Sequence, residues 1–542
     1  MGTTLLSNGR IVDGSGEAAF DGHVLLEGDR IAEVIRGEAR PAADRVIDAG
    51  GRVVAPGFVD MHSHADFLMP RDDHDRLVRS FLEQGVTTVV AGNCGISPAP
   101  VRGRTRARLE GFASIAIDKP LPWSWESMGE YLDVLDAARP AVNVAQLVGH
   151  AALRYAATDS RRGAMDASDV RRCEEATRAA FDQGACGLSF GLGYDPGMYS
   201  PLDELEAFSR VAASAGKTVT AHLKAYSWLS PTYPLHHLRP HNLRAIREML
   251  EVTRRARARL QISHFIFVGR HTWRTAGRAL ELVDDARARG QDVMIDAFPY
   301  TCGNTTVNVS LPYWFLAMGP EAYRSRAARA RLRLELELGY RLVGFRWEDF
   351  QVMQVGVDGW EELDGLTVAE LGRRWGIAPF DAFLRVAEAS RGSALMLLHS
   401  YSGDPAGRGP IEDVIAHEAC LFETDAIARS DGWPNPATMG AFPKILARWV
   451  RETGRIRLED AVRRMTAASL ERFGITDRGR VARGQAADLV VFDPDTIADT
   501  PPAPGRPAGR PRGIAHVFVN GAQVVEDGVH LPDRRHGRTL RA

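Results

Sequence analysis

Both ends of the chain show short apolar runs separated by turn sequences, a pattern that predicts small β structure. Near the N-terminus, S-N-G-R at 7–10 stands between runs of alternating apolar and polar residues. Near the C-terminus, N-G at 520–521 lies between two apolar runs, which predicts a hairpin. Because the two ends share this pattern, we expect 1–54 and 478–542 to pair into one composite β domain, a small β-sandwich.

The long segment between these ends, 55–477, alternates apolar runs with stretches of helical periodicity. The runs that predict strands are 56–64, 86–93, 142–150, 185–192, 218–223, 260–264, 292–300 and 419–425. Buried strands alternating with helices favour a parallel sheet, and eight such units predict a (β/α)8 TIM barrel of the α/β class. The seventh and eighth runs lie too far apart for a single helix, so residues at about 305–400 are predicted to form an insertion over the active-site face.

The predicted strand ends carry side chains that bind metals. Strand one ends in His62 and His64, and residues two apart point to the same face of an extended strand. The other chemically distinctive strand ends are Cys94, His150, His222, His264 and Asp425. Since the C-terminal ends of barrel strands converge on one face, this set predicts a metal site there.

The ligand types favour zinc. Imidazole, thiolate and carboxylate together suit zinc better than magnesium or calcium. The set exceeds one tetrahedral shell, so it permits one or two zinc ions per chain. A thiolate can bridge two cations. The predicted fourth strand, 185–192, has no lysine that could do so after modification, which leaves the bridging role to Cys94.

Composition narrows the function classes. The 542 residues are 45% hydrophobic and 25% charged, as in ordinary globular enzymes, and the net charge of −2 gives no indication of a nucleic-acid or membrane partner. The five cysteines form no C-x-x-C pair, which favours a reducing compartment. We find no signal peptide and no apolar stretch long enough for a membrane span, so we expect a cytoplasmic protein. The sequence leaves open whether the chain forms an oligomer.

Motifs spread over nearly the whole chain carry a resemblance to a known family. They are P-G-F-V-D-M-H-S-H-A-D at 56–66, G-N-C-G-I-S-P-A-P at 92–100, G-H-A-A-L-R at 149–154, G-A-C-G-L-S-F-G-L-G-Y-D-P-G at 184–197, I-S-H at 262–264, F-P-Y-T at 298–301, N-P-A-T-M-G-A-F-P at 435–443 and A-A-D-L-V-V-F-D at 486–493. With them the chain resembles the amidohydrolase superfamily and, within it, the D-aminoacylases, which are N-acyl-D-amino-acid deacylases. The cysteine motif is the most specific, because most of the superfamily has a lysine or glutamate there.

The resemblance implies a fold and an activity. The fold is a metal-bearing (β/α)8 barrel with a β domain built from both chain ends. The activity is zinc-dependent hydrolysis of a linear amide, with a small N-acyl-D-amino acid as substrate and a carboxylate and a free D-amino acid as products.

The resemblance also implies how the metal ligands divide. A tight zinc would be held by Cys94, His222 and His264. The ligands of a second, weaker zinc would be His62, His64, Cys94 and Asp425. Members of the family differ in whether this second site is filled.

Asp425 is the candidate general acid/base. It ends the apolar run A-C-L-F-E-T-D, whereas the alternative, Asp431, lies in the polar sequence S-D-G. In the mechanism that the resemblance implies, Asp425 takes a proton from the attacking water and passes it to the leaving amine.

The residues expected to bind the substrate match the family less closely than the metal ligands do. Tyr194 and Tyr300 match family positions that line the pocket. Relatives commonly carry a lysine two residues after the strand-six histidine, where it helps to hold the substrate carboxylate, but this chain has Ile266. We expect Lys224 or Arg270 to bind an anionic substrate group instead; a solvated surface charge is the alternative for each.

Two other functions remain compatible with the sequence. One is hydrolysis of another amide, such as a cyclic amide, a hydantoin-like ring or a dipeptide. The other is a non-catalytic scaffold that binds metal or a partner, which the intact set of strand-end ligands argues against.

Overall fold

Eight parallel strands form a nearly closed barrel. The computed structural model describes residues 2–117, 119–158, 163–234, 239–425, 427–503 and 509–542. The barrel strands are Phe58–Asp60, Val86–Ala91, Asn143–Gly149, Gly187–Gly191, Thr218–His222, Arg259–Ile262, Val293–Ala297 and Cys420–Phe422. Each pairs in parallel with the next along the chain, and the Met61 N–H meets the Phe422 carbonyl at 3.3 Å where the eighth strand returns to the first. The predicted barrel is confirmed, and every predicted run overlaps one of its strands.

Helices follow most of the barrel strands. They are His74–Glu83, Arg106–Phe112, Met128–Ala138, His150–Thr158, Ala167–Asp182, Leu202–Ser214, His241–Ala256, Ala276–Ala288, Ile411–Ala416, Ala437–Ile445, Leu458–Met465 and Ala467–Glu471, with a π-helix at Leu446–Glu452. Asp166 begins Ala167–Asp182 by accepting two backbone N–H groups. Ser127 and Glu130 begin Met128–Ala138 with a reciprocal capping box. Among the helices within the described residues, none has the length and apolar character needed to cross a bilayer.

An insertion separates the seventh and eighth barrel strands, as predicted. It contains a three-stranded antiparallel sheet of Cys302–Thr306, Phe350–Gln354 and Leu395–His399, the last in the middle. Its helices are Tyr313–Ala317, Glu321–Arg324, Arg326–Val343, Val368–Trp375 and Pro379–Ala389. Buried side chains such as Leu332, Phe350 and Phe383 give the insertion a hydrophobic core of its own.

The two chain ends form one nine-stranded sheet beside the barrel. Its strands are Thr3–Ile11, Phe20–Glu27, Arg30–Arg36, Arg45–Asp48, Val53–Pro56, Leu489–Phe492, Ile514–Val519, Ala522–Glu526 and Val529–His530. Val53–Pro56 pairs with Leu489–Phe492, and this ladder joins the N-terminal strands to the C-terminal ones. The last strand, Thr539–Leu540, pairs instead with the third barrel strand. The domain boundaries drawn from the sequence, at 54/55 and 477/478, remain our proposal.

Candidate metal centre

Cys94 lies at the centre of a cluster of imidazole rings. Its Sγ atom is 3.3 Å from His62 Nε2. The same sulfur is 3.5 Å from His222 Nδ1 and 3.4 Å from His264 Nε2. All four side chains are buried. The structure thus brings together predicted residues from the ends of barrel strands one, two, five and six.

Asp425 and His64 extend this cluster on the side of His62. Asp425 Oδ1 lies 3.6 Å from Nε2 of His62 and 3.6 Å from Nε2 of His64. Asp431, the alternative acid, is exposed, and its carboxylate accepts a hydrogen bond from the Ser430 hydroxyl at 2.9 Å. Of the two aspartates, Asp425 is therefore the one beside the candidate metal ligands.

Three residues of the cluster leave their strands through a left-handed backbone conformation. The φ angles are +53° at Cys94, +30° at His264 and +47° at Asp425. Such conformations cost on the order of 1–3 kcal/mol each outside glycine. Hydrogen bonds hold two of these turns: the His264 N–H donates to Asp296 Oδ1 at 2.7 Å, and the Asp425 N–H donates to the His62 carbonyl at 3.0 Å.

Glycines at the end of the fourth strand make room for the cluster. A Cβ atom at Gly191 would lie 2.0 Å from the Cys94 carbonyl oxygen. A Cβ atom at Gly193 would lie 2.8 Å from His222 Nε2. The glycine-rich sequence here lets the backbone approach two candidate ligands closely.

Three buried acids lie around His62. Asp60 accepts the N–H groups of His62 and Thr424 at 3.2 and 2.9 Å, and burial raises the pKa of its carboxyl group to about 7. Asp296 accepts the His264 N–H, as described above, and Glu423 Oε2 lies 3.3 Å from His62 Nδ1. Sequence reasoning missed Asp296 and Glu423. The available signal was an isolated acid in an otherwise apolar run, V-M-I-D-A at 293–297 and C-L-F-E-T at 420–424.

Burial sets the protonation states of the cluster. It raises the pKa of the Cys94 thiol well above its usual value, and the carboxylate of Asp425 adds to this effect. Burial lowers the pKa of His264 to about 4 and that of His222 well below its usual value. The two imidazoles are therefore neutral at pH 7, with lone pairs available for a metal, and the sulfur would release its proton when a cation binds.

The donor atoms around Cys94 fit zinc. A tetrahedral zinc with bonds of about 2.0–2.3 Å needs ligand atoms about 3.3–3.7 Å apart. The three sulfur–nitrogen distances, 3.3–3.5 Å, fall in this range, while the gap of 2.8 Å between His222 Nδ1 and His264 Nε2 is shorter. Sulfur with imidazole nitrogen is a donor set that suits zinc, whereas magnesium and calcium take oxygen ligands.

Two tyrosines border the cluster. The hydroxyl oxygen of Tyr194, a predicted substrate residue, lies 3.3 Å from His222 Nδ1. Tyr226, which sequence reasoning missed, has its ring centre 4.9 Å from the rings of both His222 and His264. Its hydroxyl accepts the Leu223 N–H at 2.7 Å and donates to the Ser263 carbonyl at 3.1 Å. Tyr226 thereby joins the loops after strands five and six.

The other predicted substrate residues have different contacts. The Tyr300 hydroxyl donates to Asp499 at 2.7 Å, and Lys444 Nζ lies 3.8 Å from the centre of the Tyr300 ring. Lys224 Nζ lies 5.4 Å from the ring centre of Tyr233, and burial lowers the pKa of this lysine. Among the contacts described, the side chains of Tyr300 and Lys224 do not touch the cluster around Cys94, so their roles in substrate binding stay predictions.

His150 ends the third strand but does not join the metal cluster. Its Nε2 atom lies 3.0 Å from Glu204 Oε1, and Arg154 donates to the same oxygen at 2.6 Å. All three side chains are buried. His150 therefore belongs to a buried polar network between helices His150–Thr158 and Leu202–Ser214.

Arg270 is bound to the insertion. Its Nη1 and Nη2 atoms donate to both carboxylate oxygens of Asp349, at 2.6 and 2.8 Å. Nη1 also donates to the Gly344 carbonyl at 3.0 Å. Bidentate arginine–carboxylate pairs are among the stronger hydrogen-bonded contacts in proteins. We infer that this pair fastens the loop after strand six to the insertion.

Arg270→Met and Asp349→Asn are expected to destabilise the protein to a similar extent, by about 2 kcal/mol each, because each breaks the same largely buried pair. The double variant is expected to lose little more than either single variant. Denaturant unfolding checks this. Arg278→Met, which breaks an exposed ion pair with Glu281, is the matched control and is expected to change stability by less than about 0.5 kcal/mol. A raised KM in Arg270→Met with an unchanged KM in Asp349→Asn would instead assign Arg270 to the substrate.

Comparison with known proteins agrees with the fold. The amidohydrolase family profile matches residues 45–302 and 367–525, and the unmatched stretch between them lies in the insertion. The chain is 34% identical to the N-acyl-D-glutamate deacylase of Alcaligenes xylosoxydans xylosoxydans over 99% of this chain and 96% of the relative. It is 30% identical to the D-aminoacylase of the same organism over 96% of this chain and 94% of the relative.

A solved structure is similar over the same length. It is the N-acyl-D-glutamate deacylase from Bordetella bronchiseptica, complexed with zinc and a phosphonate inhibitor that mimics the tetrahedral intermediate of the reaction. The TM-score is 0.79 at 30% sequence identity, covering 99% of both chains. The barrel, the full-length relatives and the matched family profile lead to one conclusion: this chain belongs to the amidohydrolase family.

Proposed function

We propose that the protein is a zinc-dependent amide hydrolase that deacylates N-acyl-D-amino acids to a carboxylate and a free D-amino acid. The observation that carries this proposal is the approach of three imidazole nitrogens to Cys94 Sγ at 3.3–3.5 Å, with the Asp425 carboxylate beside them. The substrate class is supported by full-length relatives that are themselves an N-acyl-D-glutamate deacylase and a D-aminoacylase.

One or two zinc ions would be held at the ends of the barrel strands. The tight set is Cys94, His222 and His264. The weaker set is His62, His64, Cys94 and Asp425. Zinc bound there supplies Lewis acidity, which activates water and polarises an amide carbonyl.

Asp425 is the proposed general acid/base. Burial raises the pKa of its carboxyl group, but the interactions with His64 and then His62 outweigh burial, so the pKa lies below its ordinary value. The group is thus a carboxylate at neutral pH. It takes a proton from the attacking water and delivers it to the leaving nitrogen.

Three segments of the chain meet at Arg429. Arg429, in the loop after Asp425, donates to the Ile115 carbonyl at 3.0 Å and to Gln354 Oε1 at 2.9 Å. This residue connects the loops after strands eight and two with the insertion. Tyr194, next to His222, is the tyrosine that we place against the substrate.

The substrate assignment is tested with a panel of amides. Zinc-loaded protein is expected to hydrolyse N-acyl-D-amino acids faster than their L-enantiomers, cyclic amides or dipeptides. The same protein, treated with a chelator and then resupplied with zinc, is expected to lose and regain this activity. Hydrolysis of cyclic amides alone would assign a different substrate within the family. A protein that binds no zinc and hydrolyses none of these amides would fit the scaffold alternative.

We also propose a cytoplasmic location. All five cysteines are buried and unpaired, which suits a reducing compartment.

A further inference from the structure

Glu423 is a buried acid that the mechanism above does not use. It lies two residues before Asp425, and its side chain is 0% exposed. Within the described part of the chain, neither carboxyl oxygen has a hydrogen-bond partner with good geometry. Burying a carboxyl group without hydrogen bonds costs free energy, so its environment needs a physical explanation.

A ring nitrogen of His62 lies close to Glu423. The ring of His62 presents Nε2 to Cys94 Sγ at 3.3 Å and to Asp425 Oδ1 at 3.6 Å. Its other nitrogen, Nδ1, lies 3.3 Å from Glu423 Oε2. An imidazole that offers the lone pair of one nitrogen to a metal carries its hydrogen on the other nitrogen, and that hydrogen needs an acceptor.

Asp296 is the other acid near His62 Nδ1, but its oxygens are already engaged. Its Oδ1 atom is 3.7 Å from Nδ1 and accepts the His264 N–H at 2.7 Å. Its Oδ2 atom accepts from Gln261 Nε2 at 2.8 Å. Glu423 is the closer of the two acids to His62 Nδ1, and among the described residues no N–H group donates to its carboxyl oxygens.

We propose that Glu423 is a positioning residue for His62: its carboxyl oxygen accepts the Nδ1 hydrogen and so keeps the Nε2 lone pair directed at the metal centre. This inference rests on the proposed function, since it requires zinc at the cluster. Because His62 belongs to the weaker set of ligands, loss of the acceptor weakens that site and leaves the tight site of Cys94, His222 and His264 in place. Removal of such a partner typically lowers metal affinity by about 10–100-fold.

The test compares three variants of the zinc-loaded protein by chelator competition. Glu423→Met removes the acceptor and is expected to weaken the second zinc site by about 10–100-fold. Glu423→Gln keeps an acceptor oxygen at the same reach and is expected to change the affinity by less than about threefold. Glu83→Met, which removes a buried glutamate on helix His74–Glu83 that accepts from Arg510, controls for the loss of a buried carboxyl group.

A second readout follows the tautomer of His62 directly. With ¹⁵N-labelled histidine, NMR of the zinc-loaded protein is expected to show hydrogen on Nδ1 of His62 in the wild type and in Glu423→Gln, and a changed pattern in Glu423→Met. Where Glu423→Met does not fold, Glu423→Asp, which retracts the carboxyl group by one methylene, takes its place in both measurements.

Each remaining outcome contradicts the inference in a recognisable way. Unchanged zinc affinity and an unchanged His62 tautomer in Glu423→Met would show that Glu423 does not position His62. A third zinc in the wild type that disappears in both Glu423→Met and Glu423→Gln would make His62, Asp296 and Glu423 a cation site instead. A wild-type protein that binds no zinc would overturn the proposed function itself, and this result is seen before any variant is made.

Discussion

Cys94→Ala is expected to strip the protein of zinc and to lower amide hydrolysis by at least about a thousandfold, because several kcal/mol of transition-state stabilisation depend on the metal. Cys94 is the one residue common to both proposed ligand sets, and its sulfur lies 3.3–3.5 Å from nitrogens of three histidines. Its removal therefore takes a ligand from each site at once. Metal analysis after dialysis and steady-state hydrolysis of an N-acyl-D-amino acid measure the two losses.

Two other variants make this result interpretable. His62→Ala combined with His64→Ala removes two ligands of the weaker set only, and is expected to lose much of the activity while keeping about one zinc ion. Cys186→Ala deletes a buried sulfur just before the fourth barrel strand and is expected to keep both zinc and activity. Full zinc retention by Cys94→Ala would show that the two sites do not share this ligand.

The sequence could predict that the candidate metal ligands lie together, because barrel geometry is regular. Cys94 is 32 residues from His62 and 170 residues from His264 along the chain, yet their side chains meet. The sequence has only to show that each residue ends an apolar strand, since parallel strands in a closed barrel deliver their C-terminal ends to one face. No knowledge of side-chain contacts was needed for that step.

The rule that side chains at strand ends converge on one site failed for His150. This residue also ends an apolar run, but helix His150–Thr158 begins at it, and its side chain meets Glu204 instead of the cluster around Cys94. At Cys94 and His264, in contrast, the backbone turns through positive φ angles immediately after the strand. The direction of a strand-end side chain thus depends on the turn that follows it, which periodicity does not reveal.

Contacts made by loop residues could not be predicted from the sequence. Arg270 finds its partner Asp349 79 residues away, in an insertion whose presence was predicted but whose packing was not. Lys224 lies close to His222 along the chain, yet its amine is placed near the Tyr233 ring. A long charged side chain on a loop takes its direction from whichever partner tertiary packing supplies, so position in the sequence says little about it.

The structure distinguishes the positions of two acids at the end of the eighth strand, which the sequence alone did not. Glu423 and Asp425 are two residues apart in F-E-T-D, and sequence reasoning selected only Asp425. In the structure Glu423 faces the Nδ1 side of His62, and Asp425, after a turn at φ +47°, faces its Nε2 side. The two carboxyl groups therefore lie on opposite sides of one imidazole ring, which supports separate roles in positioning and in proton transfer.

Asp425→Asn is expected to lower kcat by about 10²–10⁴-fold while the protein keeps its fold and its tight zinc. The amide has the shape of the carboxylate but cannot take up a proton. Steady-state kinetics and metal analysis on the same preparation measure the two quantities. Retention of most of the kcat by this variant would exclude Asp425 as the general acid/base.

Asp431→Asn is the matched control, because it makes the same substitution at an aspartate outside the candidate metal centre. Asp431 is exposed and accepts from the neighbouring Ser430 hydroxyl, so its replacement is expected to change kcat by less than about twofold. Asparagine adopts the left-handed region at least as readily as aspartate, so the φ of +47° at Asp425 is not itself disturbed by the substitution. A loss confined to Asp425→Asn would therefore come from the missing carboxylate 3.6 Å from His62 and His64, and a loss confined to Asp431→Asn would transfer the catalytic role to the loop.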